Sequence, residues 1–229
     1  MRIAVYQTTA EGKKFLPLEQ MEKVGGPDPA EYRTVFRGDV PAENLEDVFR
    51  ILNTERPGTY QGHSLSVSDI VEIPAHGTGN AGVDPGCYFC DRTGFQKISF
   101  DTQQCAPMEG QRALLLTPHH TPVEVGVRDD LQSLQQAVGG YIEITYPFPD
   151  DVCICGNEEA KLIGMEGTRR LNGDVYAGPL LLLGYDGAGE LQSLTEEQME
   201  RYAVQFAEPE EISQEEVEAH TGFLFRFFD

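Results

Sequence analysis

The chain opens on Arg2-Ile3-Ala4-Val5-Tyr6-Gln7, an apolar-rich run that reads as a β-strand, and Tyr32 to Arg37, rich in β-branched and aromatic residues, reads as a second. Between them Gly25-Gly26-Pro27-Asp28-Pro29 is a loop signal. After Pro41 the period changes. Leu45, Val48, Phe49 and Leu52 recur at i, i+3, i+4 and i+7, which puts four apolar side chains on one face of a helix starting near Asn44. Pro57-Gly58 ends that region, and Leu65 to Ile73 and Gly86 to Ile98 read as two strands joined by a glycine-rich connection.

A second unit is expected after the polar stretch Gln103 to Gly110. Ala113 to Thr117 and Pro122 to Val127 read as a hairpin, and Leu131, Leu134 and Val138 mark a helix stopped by Gly139-Gly140. Tyr141 to Tyr146, Val152 to Cys155 and Leu180 to Tyr185 read as strands. The last two are apolar on both alternating faces, as in strands covered on two sides. Ser193 with Glu196, and Ser213 with Glu216, have the spacing of capping boxes and predict two acidic helices near the end. The apolar run Phe223 to Phe228 is expected to dock on the body of the protein. The expectation is an α+β protein of two small domains, residues 1–106 and 107–206. Each has a mixed or antiparallel sheet with packed helices, followed by an acidic helix and apolar segment over 207–229.

Composition is that of a globular chain: 229 residues, 40% of them apolar, without Trp. The longest apolar run, Pro179 to Leu183, is far too short to span a membrane, and the amino terminus lacks the pattern of a signal peptide. Both point to the cytoplasm. Five cysteines, an odd number, are then expected as reduced thiols. The net charge of -21 is uneven: residues 107–229 hold 7 basic against 23 acidic side chains, and residues 1–106 hold 10 against 15. Such a surface repels phosphate backbones, which argues against direct nucleic-acid binding.

Two stretches resemble known families. Val40-Pro41-Ala42-Glu43-Asn44-Leu45-Glu46-Asp47-Val48-Phe49, then Gly62-His63-Ser64-Leu65-Ser66-Val67-Ser68-Asp69-Ile70-Val71, with Tyr88 to Asp91 and Gly94-Phe95, is similar to the YodL-like family of Firmicutes over roughly residues 30–100. Cys87 and Cys90 depart from that pattern. Val138-Gly139-Gly140-Tyr141-Ile142-Glu143, Asn157 to Leu162 and Ala177-Gly178-Pro179 resemble a domain of unknown function common in phages and integrative mobile elements, over roughly 110–206. Of that family's Leu-Pro-Leu-Asn-Arg-Ala-like run, Met165 to Arg170 keeps Arg169 alone. The resemblances imply a bacterial mobile-element setting and no particular reaction.

Several motifs fail on context. Gly77 to Gly82 spells a dinucleotide-binding fingerprint, but a turn and a strand follow it where a helix is required. Cys87 and Cys90 have zinc or redox spacing, yet residues i and i+3 of a strand face opposite ways. His63 and Ser64, adjacent on the chain, diverge, and there is no nucleophile elbow; His119-His120 lies on a hairpin tip. No catalytic constellation, cofactor or metal site is expected. Two polar segments on presumed turns are the candidate binding residues: His63, Ser64 and Asp69, and, more strongly, Asn157, Glu158, Glu159, Lys161 and Arg169. The leading expectation is a non-enzymatic accessory protein that binds another protein. The alternatives are an acidic nucleic-acid mimic that inhibits a host defence enzyme, and a small-molecule sensor or enzyme with an unrecognised pocket.

Overall fold

The computed structural model describes residues 1–75 and 82–221. The fingerprint-like run Gly77 to Gly82 and the apolar run Phe223 to Phe228 lie wholly or almost wholly outside the described residues. The chain divides into two units, Met1–Gly110 and Gln111–Asp229. Both are α+β, and the strands of both sheets pair antiparallel.

In the first unit, β1 (Arg2–Thr8) pairs on one side with β2 (Tyr32–Asp39) and on the other with β3 (Ile70–Ile73). The sheet continues through β4 (Gly86–Cys90) to β5 (Phe95–Ile98). Helix α1 (Leu18–Lys23) covers one face and α2 (Leu45–Thr54) the other, so β1 alternates between two cores. Ile3 and Val5 pack with Val48 and Leu52 of α2, while Ala4 and Tyr6 pack with Leu18 and Met21 of α1. A bulge opposite Val5 and Tyr6 sends both Val35 and Phe36 to the α2 side.

Asn44 caps α2 by accepting from the Asp47 amide at 2.9 Å. The buried arc of α2 is Leu45, Val48, Ile51 and Leu52, and the expected Phe49 is 42% exposed. The arc is centred near Val48, so Ile51 falls inside it and Phe49 at its margin. The expected strand Leu65 to Ile73 is shorter, because Ser66 to Asp69 forms a turn with Ser68 at φ 80. Gly86 to Ile98 is two strands, folded back through Asp91 to Gly94.

In the second unit, β6 (Gln111–Leu116), β7 (Val123–Val127), β8 (Ile142–Thr145), β9 (Val152–Asn157) and β12 (Leu180–Tyr185) form a sheet in the order β7-β6-β12-β9-β8, with β13 (Leu191–Gln192) on the end of β12. A separate hairpin is made by β10 (Gly167–Leu171) and β11 (Asp174–Ala177). Leu181, Leu183, Cys153 and Cys155 face α3 (Leu131–Val138), and Leu180, Leu182, Val152 and Ile154 face α4 (Glu196–Gln205). Two-sided burial is therefore why these strands carry apolar residues at every position.

The cap of α4 is Thr195, which forms a reciprocal capping box with Gln198. Ser193 is not the cap, because its hydroxyl is engaged with the Arg112 amide and the Gln111 side chain. Ser213 does cap α5 (Gln214–Ala219). Glu216 does not reach back to complete a box there; its carboxylate binds Arg170 at 2.6 Å. No helix among the described residues is long and apolar enough to cross a membrane.

Candidate functional site

The two candidate segments fold into arrangements of different kinds. In the first unit, the end of β1 delivers Gln7, 5% exposed, to the loop that carries His63 and Asp69. The Gln7 side-chain amide donates to the His63 carbonyl at 2.9 Å and to Asp69 Oδ2 at 3.0 Å, and its oxygen accepts from the His63 amide at 3.1 Å. Asp69 Oδ2 also accepts from the Ser66 amide at 2.8 Å. Asp69 Oδ1 is buried with no hydrogen-bond partner. Desolvation accordingly pushes this carboxyl up to about 8, against the lowering effect of its bonds to Ser66 and Gln7.

His63 and Ser64 are both exposed, and His63 Nδ1 lies 3.8 Å from Asp69 Oδ2. Packing is close here: a Cβ on Gly62 would lie 2.2 Å from Gln7 Oε1. Gln7 is the residue that sequence reasoning missed. It ends a strand and resembles any solvated strand terminus until the loop folds over it. This cluster fastens a loop to a strand, and the His63 ring meets the Gln7 amide and the Ser64 carbonyl rather than a hydroxyl or thiol.

In the second unit, Asn157 ends β9 with its side chain buried beneath the Gly139-Gly140 corner, donating to the Gly139 carbonyl at 3.1 Å and accepting from the Glu159 amide at 2.9 Å. A Cβ on Gly140 would sit 2.3 Å from Asn157 Nδ2, so this glycine makes room for the asparagine. Asn157 is thus a turn-forming group whose side chain points inward.

Beside it lies a groove of about 380 Å3. Its floor is Ile154, Gly156 and Leu180 of the sheet. Glu143 and Thr145 of β8 form one wall; Glu158, Lys161 and Leu162 of the turn after β9, with Asp174 and Tyr176 of β11, form the other. His220 and Thr221, where α5 ends, complete the rim. Glu143, Glu158 and Asp174 are exposed, and so is Glu159 next to the groove. Lys161 Nζ is held by Asp174 at 2.7 Å and by the His220 carbonyl at 3.1 Å, so its ammonium is committed to the wall. Strand β8 pairs with β9 and, among the described residues, with no other strand. Tyr141 and Tyr146 flank it at 63% and 56% exposure, and Leu162 and Ile163 stand equally exposed on the neighbouring turn.

Arg169 does not join this loop. It is fully buried on β10, where Nη1 donates to the Thr168 carbonyl at 2.6 Å and Nη2 to the carbonyls of Phe206 at 3.1 Å and His120 at 3.2 Å. The guanidinium lies over the Phe206 ring, Nε is buried without a partner, and desolvation lowers the pKa. The expectation of a long charged side chain at a surface turn fails because strand alternation turns Arg169 inward. Arg170 takes the outward position and binds Glu210 and Glu216. Arg169 ties β10, the β6–β7 turn and the end of α4 together.

Cysteine chemistry is muted. Cys87, Cys90, Cys153 and Cys155 are buried, Cys105 is half-buried, and burial raises all five thiols to about 11 or 12. Among the described residues no group of three or more His, Cys, Asp or Glu side chains is placed to hold a metal ion. The acidic end is partly neutralised, since Glu196 faces Arg112 while Glu210 and Glu216 face Arg170.

Residues 2–100 match the YodL-like domain, and residues 111–207 match the family described as a domain of unknown function, DUF3846. No curated protein and no solved structure matches the chain.

Proposed function

We propose, for a chain that joins a YodL-like domain to a DUF3846 domain, a non-enzymatic role as a protein-binding module of bacterial mobile elements acting in the cytoplasm. In this reading the groove of the second unit takes an extended basic and apolar segment of the partner. The observation that carries it is the edge of β8, which among the described residues pairs with β9 alone, running beside a groove walled by Glu143, Glu158 and Asp174 and flanked by exposed Tyr141 and Leu162.

Added strands gain affinity from main-chain hydrogen bonds and specificity from alternate side chains. Glu143 of β8 and Glu158 of the turn after β9, both exposed, put negative charge beside such a strand. That favours Lys and Arg and penalises an acidic or wholly apolar strand. The excess of acidic residues over 107–229 draws a basic partner in and repels nucleic acid.

The test is binding of an octapeptide alternating valine and lysine, against its valine and glutamate counterpart, followed by hydrogen exchange of residues 141–146. The lysine peptide is expected to bind and to slow exchange there, and Glu143→Lys to abolish both effects. Equal binding of the two peptides, or protection confined to other segments, would refute the reading.

A further inference from the structure

Resting on that reading, we propose that the groove is an arginine pocket. One arginine of the partner strand enters it, with its stem on the apolar floor and its guanidinium among the carboxylates of Glu143, Glu158 and Asp174. Strand alternation directs a side chain there. Ile142 and Ile144 of β8 pack on the α3 side of the sheet, whereas Glu143 and Thr145 line the groove. A strand added along β8 therefore turns alternate side chains to the groove face. The cavity holds about 380 Å3. That is the small end of the ~300–1,000 Å3 that ligand sites span, which suits a single long side chain.

The lining divides as an arginine does. Ile154, Ala160, Ala177 and Leu180 are buried and apolar, a floor for the methylene stem. The carboxylates come from separate elements: Glu143 from β8, Glu158 from the turn after β9 and Asp174 from β11. Among the described residues, the side chains of Glu143 and Glu158 accept no hydrogen bond and enter no ion pair. Both bonds that Asp174 accepts there fall on Oδ1, from Lys161 Nζ and from the Val175 amide, each at 2.7 Å, so Oδ2 is left to a ligand. Against these acids the wall sets one ammonium, that of Lys161, and the site stays negative. A planar guanidinium with its donors set in a fork reaches carboxylates on more than one side. It also stacks on aromatic residues, and Tyr176, its hydroxyl tied to Thr145 Oγ1 at 3.2 Å, is part of the lining. Lysine fits less well, because its ammonium is a compact point charge and Lys161 already supplies one to Asp174.

The experiment uses the full chain and two probes. The first is the alternating valine and lysine octapeptide with each lysine replaced in turn by arginine; the second is N-acetylarginine methylamide beside its lysine counterpart. Affinity is read by titration calorimetry, and placement by the amide chemical shifts of Glu143, Ile154 and residues 174–177. At one position of the octapeptide arginine is expected to bind ~10-fold more tightly than lysine, and Glu158→Gln to remove most of that gain. Arginine no better than lysine at every position, with the all-lysine peptide still bound, would overturn the inference and leave the binding reading standing. Groove shifts caused by the arginine amide and not by the lysine amide, with no octapeptide bound, would uphold the pocket and refute the strand-addition reading. A gain from arginine that survives both Glu143→Gln and Glu158→Gln would trace it to general negative charge and overturn the pocket.

Discussion

Replacing Asp69 by Asn removes a titratable carboxyl from a place where its charge is poorly supported. Oδ2 has two donors, Gln7 Nε2 and the Ser66 amide, and Oδ1 is buried with none. The residue is 1% exposed, and its carboxyl is pushed up to about 8 by burial. A pKa raised on folding means that the stabilising effect of the bound proton is complete below the ordinary carboxylate value and is lost as pH rises through the folded value. With ~1.4 kcal/mol per tenfold change in the ionisation constant, and an ordinary value near ~4, this one group costs the folded parent about 3 to 4 kcal/mol between pH 5 and pH 8.

Asn keeps an oxygen for Gln7 and Ser66 and carries no charge at any pH, but it leaves a buried N–H unpaired, at about 1 kcal/mol or more. The expected result is that Asp69→Asn gains about 3 to 4 kcal/mol of stability on the parent between pH 5 and pH 8. Urea denaturation followed by circular dichroism, with variant and parent compared at each pH, cancels the general effect of the net negative charge. A difference that stays constant from pH 5 to pH 8 would refute the reasoning and show that Asp69 is ionised and satisfied throughout.

Arg169→Ala should destabilise by about 3 kcal/mol, since it removes the guanidinium donors from the buried Thr168 and Phe206 carbonyls and the part-buried bond to His120, and Arg169→Lys should recover part of that; denaturation midpoints check both. Gly62→Ala should cost about 1 to 3 kcal/mol in the same assay, because its Cβ would meet Gln7 Oε1 and the Val35 Cβ, whereas Glu159→Ala, at an exposed turn, should stay within about 0.5 kcal/mol. Folded protein at pH 8 should give almost no rapid reaction with a thiol reagent, and all five cysteines should react once it is unfolded, because burial holds every thiol protonated.

Much of the architecture is legible because it rests on local rules. The cap at Asn44, the stop at Gly139 and the two-sided strands Val152 to Cys155 and Leu180 to Tyr185 follow from side chains acting on their own backbone or from alternation. The groove is less so. Glu158, Glu159 and Lys161 are charged residues at a turn, and the sequence shows them as that. Glu143 of β8, Asp174 of β11 and His220 at the end of α5 come from remote stretches, and only packing makes them walls of one cavity.

Arg169 and Gln7 mark the boundary most clearly. By itself the sequence determined composition, charge, most element types and the α+β class, because propensity, capping and periodicity act over a few residues; it did not mark α1 or the hairpin of β10 and β11. It did not determine which face of a short strand turns inward. Gly167 to Leu171 offers Arg169 and Arg170 side by side with nothing local to choose between them, and the carbonyls that accept from Arg169 belong to residues 120, 168 and 206. Gln7 likewise finds its partners 56 and 62 residues away. The tertiary structure decided these matters, because the desolvation of a polar group, and the donors or acceptors that offset it, are properties of segments brought together from across the chain.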